Sequence, residues 1–413
     1  MSATDSNVAE QRLAINGGNP VTTEPFPRWP SFAEDELAAA ANVLASGRVN
    51  YWTGDEGRHF EREYASYLGL EHAIVLANGS VALELALRCW DIGPGDEVIV
   101  TPRSFVASAS CVVLAGARPV FADVDRNSGN ITADSIARMI GPRTRAVICV
   151  HLGGWPCQMD DIMALAREHG LKVLEDCAQA HGARYRGRPA GSFGDAAVFS
   201  FCQDKILTTG GEGGLLATDD SDLWSRAWSF KDHGKSWDAV YQRDHGPGFR
   251  WVHETFGTNL RMTEYQAAIG RVQLVKLEAW RETRARNAAI LIKSLRQCPG
   301  LRVPEPKEDQ AHAWYKLHVY LSERELRSDW DRDRVLDAVV AEGVPCFAGS
   351  CSEIYLEKSF KDTRLEPHAR LEIARELGAT SLMFPVHPTL GESHMETMAL
   401  AVHKVLSVAA HTG

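Results

Sequence analysis

The residues 72-HAIVLANGSVALELALRCW-90 indicate an α/β fold, because a short apolar run is followed at once by a helical pattern. Strands that alternate with helices predict a parallel sheet, and nearly continuous apolar strands indicate that helices cover both of its faces. The same pattern continues in DEVIVT (96–101), FVASASCVVLAG (105–116), RPVFADV (118–124), ITADSIARMI (131–140), RAVICVHL (145–152), MDDIMALAREHG (159–170), LKVLED (171–176) and AAVFSF (196–201).

The size of the chain predicts more than one domain. A length of 413 residues exceeds what one hydrophobic core usually serves. Arg261 to about Leu295 has apolar residues at helical spacing and no proline, so it predicts a long connecting helix. We expect an N-terminal segment and large α/β domain over 1–260, the connecting helix over 261–296, and a smaller α+β domain over 297–413.

Composition and charge exclude several classes of protein. Hydrophobic residues make up 45% and charged residues 24%, which is typical of a globular enzyme. The net charge of −10, without a long basic run, argues against a nucleic-acid partner. No apolar stretch is long enough for a membrane span, and the opening residues lack a signal-peptide core, so we expect a cytoplasmic protein.

The cysteines predict neither disulfides nor a structural metal site. There are nine, an odd number, and most lie inside apolar runs, which is typical of buried thiols. No pair has C-x-x-C spacing, and Cys346 with Cys351 has no second cluster to complete a zinc site.

Polar clusters follow several of the predicted strands, where ligands of parallel α/β sheets bind. Asn78-Gly79-Ser80 ends the first strand and begins a helix, so its backbone N–H groups suit a phosphate, although an ordinary helix cap has the same residues. Asp176 ends the strand LKVLED and could pair with a protonated ring nitrogen, or it could cap the next turn.

A lysine within a glycine-rich segment is the most specific signal. Lys205 lies in SFCQDKILTTGGEGG (200–214), after a buried strand. A lysine amine forms an imine with an aldehyde when its pKa is lowered, although most lysines are surface charges. Asp176 and Lys205 follow adjacent predicted strands, so we expect both at the same edge of the sheet.

Together these segments resemble the sugar aminotransferases of the DegT/DnrJ/EryC1/StrS family, which have the type I fold of pyridoxal 5′-phosphate (PLP) enzymes. The resemblance covers most of the chain. It is carried by WTGDEGRHFEREYASYLG (52–69), NGSVALELAL (78–87), GPGDEVIVTPRSFVASAS (93–110), FADVD (121–125), VHLGG (150–154), EDCAQAHGARYRGRPAGSFGDAAVFSF (175–201), KILTTGGEGG (205–214), GTNLRMTEYQAA (257–268) and PVHPTL (385–390).

The resemblance implies a role for individual residues around the PLP ring. Lys205 would hold PLP as a Schiff base and move protons during the reaction. Asp176 would pair with the pyridinium nitrogen. Phe105 falls where the family has an aromatic side chain stacked on the ring, although a buried core aromatic is the alternative. Gln179 falls where a side chain contacts the ring oxygen.

The resemblance also implies a phosphate site that two subunits share. Gly79, Ser80 and Ser200 match phosphate-binding positions. Asn259 matches an asparagine that reaches the phosphate from the neighbouring subunit, which requires a homodimer with an isologous interface. Leu260 departs from the family, where an aromatic residue often precedes the arginine found here as Arg261.

The resemblance implies transamination from L-glutamate or L-glutamine to a keto-sugar, with pyridoxamine phosphate formed between the two halves of the reaction. KILTTGGEGG favours a nucleotide-linked 4-keto-6-deoxyhexose over a 3-keto nucleotide sugar. The opening LAINGGNPV (13–21) and Gln203 instead resemble enzymes that aminate keto-cyclitols. A non-catalytic sugar-binding or regulatory relative is a further alternative, which Lys205 disfavours, as it does the related dehydratases with histidine at this position.

Overall fold

The computed structural model describes residues 12–411 of the chain. Its strands are β1 (His72–Leu76), β2 (Glu97–Val100), β3 (Arg118–Phe121), β4 (Thr144–Val150), β5 (Lys172–Asp176), β6 (Arg184–Tyr185), β7 (Arg188–Pro189), β8 (Ala196–Ser200), β9 (Gly214–Thr218), β10 (Leu301–Arg302), β11 (Gln310–Ala311), β12 (Leu317–Leu321) and β13 (Ser381–Phe384).

The α-helices alternate with these strands in the first half of the chain and dominate the second half. They are α1 (Glu34–Ser46), α2 (Glu56–Leu68), α3 (Gly79–Cys89), α4 (Ala107–Leu114), α5 (Ala133–Ala137), α6 (Met159–His169), α7 (Ser221–Lys231), α8 (Trp237–Tyr241), α9 (Glu264–Leu295), α10 (Arg332–Ala341), α11 (Glu372–Thr380) and α12 (Glu392–Ala409).

A seven-stranded sheet organises the N-terminal part, in the order β1-β9-β8-β5-β4-β2-β3. The contacts β3-β2, β2-β4, β4-β5 and β5-β8 are parallel, as the alternation of strands and helices predicts. β9 was not predicted, and it pairs antiparallel with both β1 and β8. Five residues directly after a glycine run carry too little pattern to be told from a loop. The predicted α/β class with a large, mostly parallel sheet is confirmed.

Both faces of this sheet are covered, because side chains alternate along each strand. On β1, Ile74 and Leu76 belong to the core beneath α3, α4 and α7, whereas Ala73 and Val75 pack on the opposite side against α2. All four are at most 6% exposed. The predicted burial by helices on both faces is therefore confirmed.

The C-terminal part has its own core around α9, α10 and α12 and a three-stranded sheet of order β10-β12-β13. The predicted helix from Arg261 is observed as α9, which begins three residues later after a capping box at Thr263. The opening segment packs here, since Leu13 belongs to this core. The three domain boundaries stay a prediction.

A buried ion pair fastens the opening segment to the C-terminal part. Glu342 accepts the N–H groups of Ala14 at 2.9 Å and Val21 at 3.0 Å, and it binds the Lys404 ammonium at 2.7 Å. Lys404 Nζ also donates to the carbonyl oxygen of Asn19 at 2.7 Å. One carboxylate thus connects three segments distant in sequence.

Within residues 12–411, none of the helices is sufficiently long and apolar to cross a membrane.

Replacing Lys404 by Met leaves the buried Glu342 charge without its cation. We expect this change to lower the free energy of unfolding by about 3 kcal/mol, measured by urea titration. Lys293→Met, on an exposed position of α9, is the matched control and should change it by no more than about 0.5 kcal/mol. Equal stability of the two variants would contradict the role assigned to the pair.

Candidate active site

A cavity of about 650 Å³ lies at the carboxyl ends of β1, β2, β5 and β8. Ligands of parallel α/β sheets bind at this edge. Seven of the eight residues predicted for the site line the cavity, namely Gly79, Ser80, Phe105, Asp176, Gln179, Ser200 and Lys205. The fold therefore brings together residues that lie up to 126 positions apart in sequence, from Gly79 to Lys205.

Asp176 is the buried acid of the cavity, at the end of β5. Only 4% of the residue is exposed. Its Oδ2 accepts a hydrogen bond from Ser108 Oγ at 2.8 Å, and its Oδ1 accepts the Ala178 N–H at 3.1 Å. Burial raises the pKa of Asp176 above its ordinary value, and these bonds and the charge of Lys205 offset only part of that effect. The carboxylate would gain from a cationic partner in the cavity.

Lys205 lies in the loop between β8 and β9. Its Nζ is 3.3 Å from Asp204 Oδ1 and 5.3 Å from the centroid of the Tyr315 ring. Burial raises the pKa of Asp204, but Lys205 and the hydrogen bond from the Tyr315 hydroxyl together lower it below its ordinary value. A residue from the N-terminal segment also holds this loop, because Trp29 Nε1 donates to the carbonyl oxygen of Lys205 at 2.7 Å.

Glycines allow three segments to meet at the N-terminus of α3. A Cβ on Gly79 would lie 2.9 Å from the Cβ of Ser200, and a Cβ on Gly214 would lie 2.3 Å from backbone atoms of Asn78. Asn78 caps α3 by accepting the Val81 N–H at 3.0 Å. The first N–H groups of a helix have no intrahelical acceptor, so this end of α3, together with Ser200, can receive an anionic group.

Phe105 and Gln179 present an aromatic face and an amide to the cavity. Phe105 is 66% exposed, so it is not the buried core aromatic that the sequence left as an alternative. Gln179 Oε1 accepts the Gly153 N–H at 2.7 Å, which leaves the amide NH2 group to donate elsewhere. A flat ring with a polar substituent would match both side chains.

Asn259 is the predicted residue that lies outside this cavity. It is exposed, it pairs with Asp232 in an antiparallel bridge, and its Oδ1 accepts the Arg261 N–H at 3.2 Å. Arg261 in turn binds Asp232 at 2.7 Å. The chain alone therefore does not bring Asn259 to the other site residues, and its contact with a neighbouring subunit stays a prediction.

A buried group of His151, Glu175 and Cys177 behind Asp176 has the residue types of a metal site. His151 Nδ1 accepts the Cys157 N–H at 3.0 Å, and His151 Nε2 lies 3.0 Å from Glu175 Oε2. Glu175 also accepts N–H groups of the loop that precedes β8, from Gly191, Phe193 and Gly194. These hydrogen bonds already satisfy the polar atoms, which gives the group a structural role in supporting the end of β5.

Sequence reasoning missed four residues of the site: Trp29, Ser108, Asp204 and Tyr315. Ser108 could have been found, because it lies on α4 one turn after Phe105. Trp29 and Tyr315 reach the site through contacts with residues more than 100 positions away in sequence. Asp204 is adjacent to Lys205 in sequence. An acid next to a predicted catalytic lysine was a usable signal.

The fold and the site define an α/β enzyme that places a lysine amine and a buried acid at the carboxyl edge of a parallel sheet. The sequence model of the DegT/DnrJ/EryC1/StrS aminotransferase family matches residues 30–403. The chain therefore belongs to this family, and it is an aminotransferase.

Relatives of the chain include enzymes for nucleotide sugars and for cyclitols. The UDP-N-acetyl-3-dehydro-α-D-glucosamine 3-aminotransferase of Acidithiobacillus ferrooxidans is 36% identical, over 87% of this chain and 90% of the relative. The L-glutamine:2-deoxy-scyllo-inosose aminotransferase of Streptomyces paromomycinus is 35% identical, over 95% and 97%. The X-ray structure of an aminotransferase from Psychrobacter cryohalolentis is 52% identical, with a TM-score of 0.90 over 92% and 98%.

Proposed function

We propose that the chain is a PLP-dependent transaminase in which Lys205 holds the cofactor covalently and Asp176 faces its ring nitrogen. The observation that carries the proposal is that both residues line one cavity, together with five others predicted to contact the cofactor. When bound, PLP supplies a protonated heteroaromatic ring that stabilises negative charge on the carbon that loses its proton.

The residues of the cavity fit such a group. The raised pKa of Asp176, caused by burial, means that a cationic ring nitrogen would stabilise its ionised form. Phe105 offers an exposed aromatic face, and Gln179 has an amide NH2 group free to donate. The start of α3 at Gly79 and the hydroxyl of Ser200 would hold the phosphate.

Proton transfer falls to Lys205. As a free amine it can take the proton from the substrate carbon, and as an ammonium group it can give that proton to a neighbouring carbon. Asp204, 3.3 Å from Nζ, stabilises the ammonium form. The backbone of Lys205 stays in place throughout, because Trp29 binds its carbonyl oxygen.

The wild-type protein loaded with PLP should have a visible absorbance band that L-glutamate bleaches. We expect Lys205→Ala to remove the band and to lower turnover by at least about a thousandfold, because covalent attachment and the proton carrier are both lost. Lys172→Ala, at the opposite end of the sheet in β5, is the control and should behave as the wild type. Turnover of Lys205→Ala near the wild-type rate would reject the assignment.

For the acceptor we propose a nucleotide-linked keto-sugar, most specifically a 4-keto-6-deoxyhexose, with L-glutamate or L-glutamine as the amino donor. The segment KILTTGGEGG (205–214) supports amination at C4. A keto-cyclitol and a 3-keto nucleotide sugar are the alternatives, since relatives that act on each are known.

Offering all three acceptors in parallel, with each donor, separates these alternatives. We expect the 4-keto-6-deoxyhexose nucleotide to give the largest kcat/KM, measured by mass spectrometry of the amino product. The reason is that discrimination between acceptors appears in the ratio of their kcat/KM values. Amination of the cyclitol alone would overturn the preference.

We further propose a homodimer in which each site receives Asn259 from the partner. The segment before Asn259 exposes large apolar side chains, with Phe249 at 77%, Trp251 at 84% and Phe256 at 99%. Exposed apolar side chains clustered in one segment are typical of a protein interface. A second copy of the chain would cover them and bring Asn259 to its cavity.

Mixed dimers test this sharing. Co-expression of Lys205→Ala with Asn259→Asp under two affinity tags should give a mixed dimer with about half of the wild-type activity, because one site keeps both native residues. A mixed dimer of the wild type with the double variant is the reciprocal control, and both of its sites are expected to fail. The opposite pair of results would place Asn259 in the site of its own chain.

A further inference from the structure

Two lysine side chains lie near the same aromatic ring, and one of them, Lys205, lines the cavity. Lys205 Nζ lies 5.3 Å from the centroid of the Tyr315 ring, and Lys316 Nζ lies 5.2 Å from it. Lys316 as a whole residue is partly exposed. A substrate that reacts at Lys205 therefore comes close to a second amine.

The backbone around Lys316 is tied to the loop that holds Gln179. Ala313 N–H donates to Gly154 at 2.8 Å, and Lys316 N–H donates to Gly153 at 3.4 Å. Gly153 N–H donates in turn to Gln179 Oε1 at 2.7 Å. Between Ala313 and Lys316, Trp314 has a φ of 51°, a left-handed conformation that costs energy for a residue other than glycine. The position of Lys316 is thus fixed relative to the site.

Positive charge exceeds negative charge in this part of the molecule. Arg284 is 1% exposed and donates to the carbonyl oxygens of Trp314 at 3.2 Å and Tyr315 at 3.4 Å. Its Nε and Nη2 have no hydrogen-bond partner among the described residues. Asp204 is the acid whose charge acts on both Lys205 and Lys316. The Asp204 charge therefore acts on two of these three basic groups, and the causes of the Arg284 pKa shift do not include it.

Burial first, and the neighbouring positive charges second, lower the pKa values of two adjacent groups. Burial, with Arg284 and Lys205, lowers the pKa of Lys316 to about 8. Burial, followed by Arg284 and Lys316, lowers the pKa of His387 to about 3, so this histidine adds no charge at neutral pH. An anion bound between these groups would relieve the repulsion.

We propose that Lys316 is a substrate-binding residue whose ammonium group receives a carboxylate or phosphate oxygen of a substrate while Lys205 reacts beside the same Tyr315 ring. This assignment rests on the proposed transamination. The amino donor carries carboxylates and a nucleotide-linked acceptor carries phosphates, whereas a keto-cyclitol carries neither. A lysine acts on either group as a compact point charge.

Titration calorimetry on the PLP-loaded protein tests the proposal with two unreactive probes, glutarate for the donor carboxylates and thymidine diphosphate for the acceptor phosphates. We expect Lys316→Met to weaken at least one of them by about tenfold or more, because a charge-assisted contact is lost. Lys316→Arg keeps the charge and should bind that probe within about threefold of the wild type. The probe that is weakened identifies the substrate.

The control is Lys172→Met, another lysine beside an aromatic ring, with Trp90 at 5.9 Å and Asp195 at 3.1 Å, at the opposite end of β5. It should leave both affinities unchanged. The half-saturation concentration of the matching half-reaction should rise in Lys316→Met with the affinity of the probe, whereas a purely structural role would lower the rates of both half-reactions alike.

Unchanged affinity of Lys316→Met for both probes, or weakening that Lys316→Arg does not restore, would overturn the proposal. These outcomes differ from failure of the proposed function. That failure would show in the wild type, as the absence of the visible band and of amino transfer, before any change at Lys316.

Discussion

Burial of one carboxyl group at the end of a parallel strand is the constraint on which the site depends. Asp176 is 4% exposed, and Ser108 and the Ala178 N–H supply its hydrogen bonds. Two neutral donors do not compensate fully for lost hydration of a carboxylate, so its pKa stays raised by burial. The core behind it, with His151 and Glu175 satisfied by the adjacent loops, keeps the strand end from relaxing towards solvent.

The antiparallel strand β9 helps to place the lysine in the same cavity as this acid. Because β9 returns between β8 and β1, the loop with Lys205 is held at the same edge as the start of α3. The approach is so close that a side chain at Gly214 would overlap Asn78, and one at Gly79 would press on Ser200. Gly214, after Lys205, is therefore required by packing of the sheet against the start of α3.

Local patterns were sufficient for much of the fold and for most of the cavity. Runs such as HAIVLA and LKVLED predict their strands, and residues at the end of a parallel strand lie at the edge of the sheet, which is why Asp176 was found, whereas Ser200 was named from the resemblance to the family. β9 was missed because its five residues follow glycines without a pattern of their own. Trp29 and Tyr315 were missed because only tertiary packing brings them to Lys205, from 176 and 110 residues away.

The two acids near Lys205 have opposite pKa shifts, and the difference separates their roles. Asp204 has a lowered pKa, since Lys205 and the Tyr315 hydroxyl outweigh its burial, so it stays ionised at neutral pH without any ligand. Its stabilising contribution is present at neutral pH and is lost only as the pH falls through its lowered pKa. Asp176 has a raised pKa, because burial outweighs its two hydrogen bonds and the charge of Lys205, so a positive group in the cavity would stabilise its ionised form. The chain itself therefore stabilises the ionised form of Asp204, whereas burial disfavours that of Asp176.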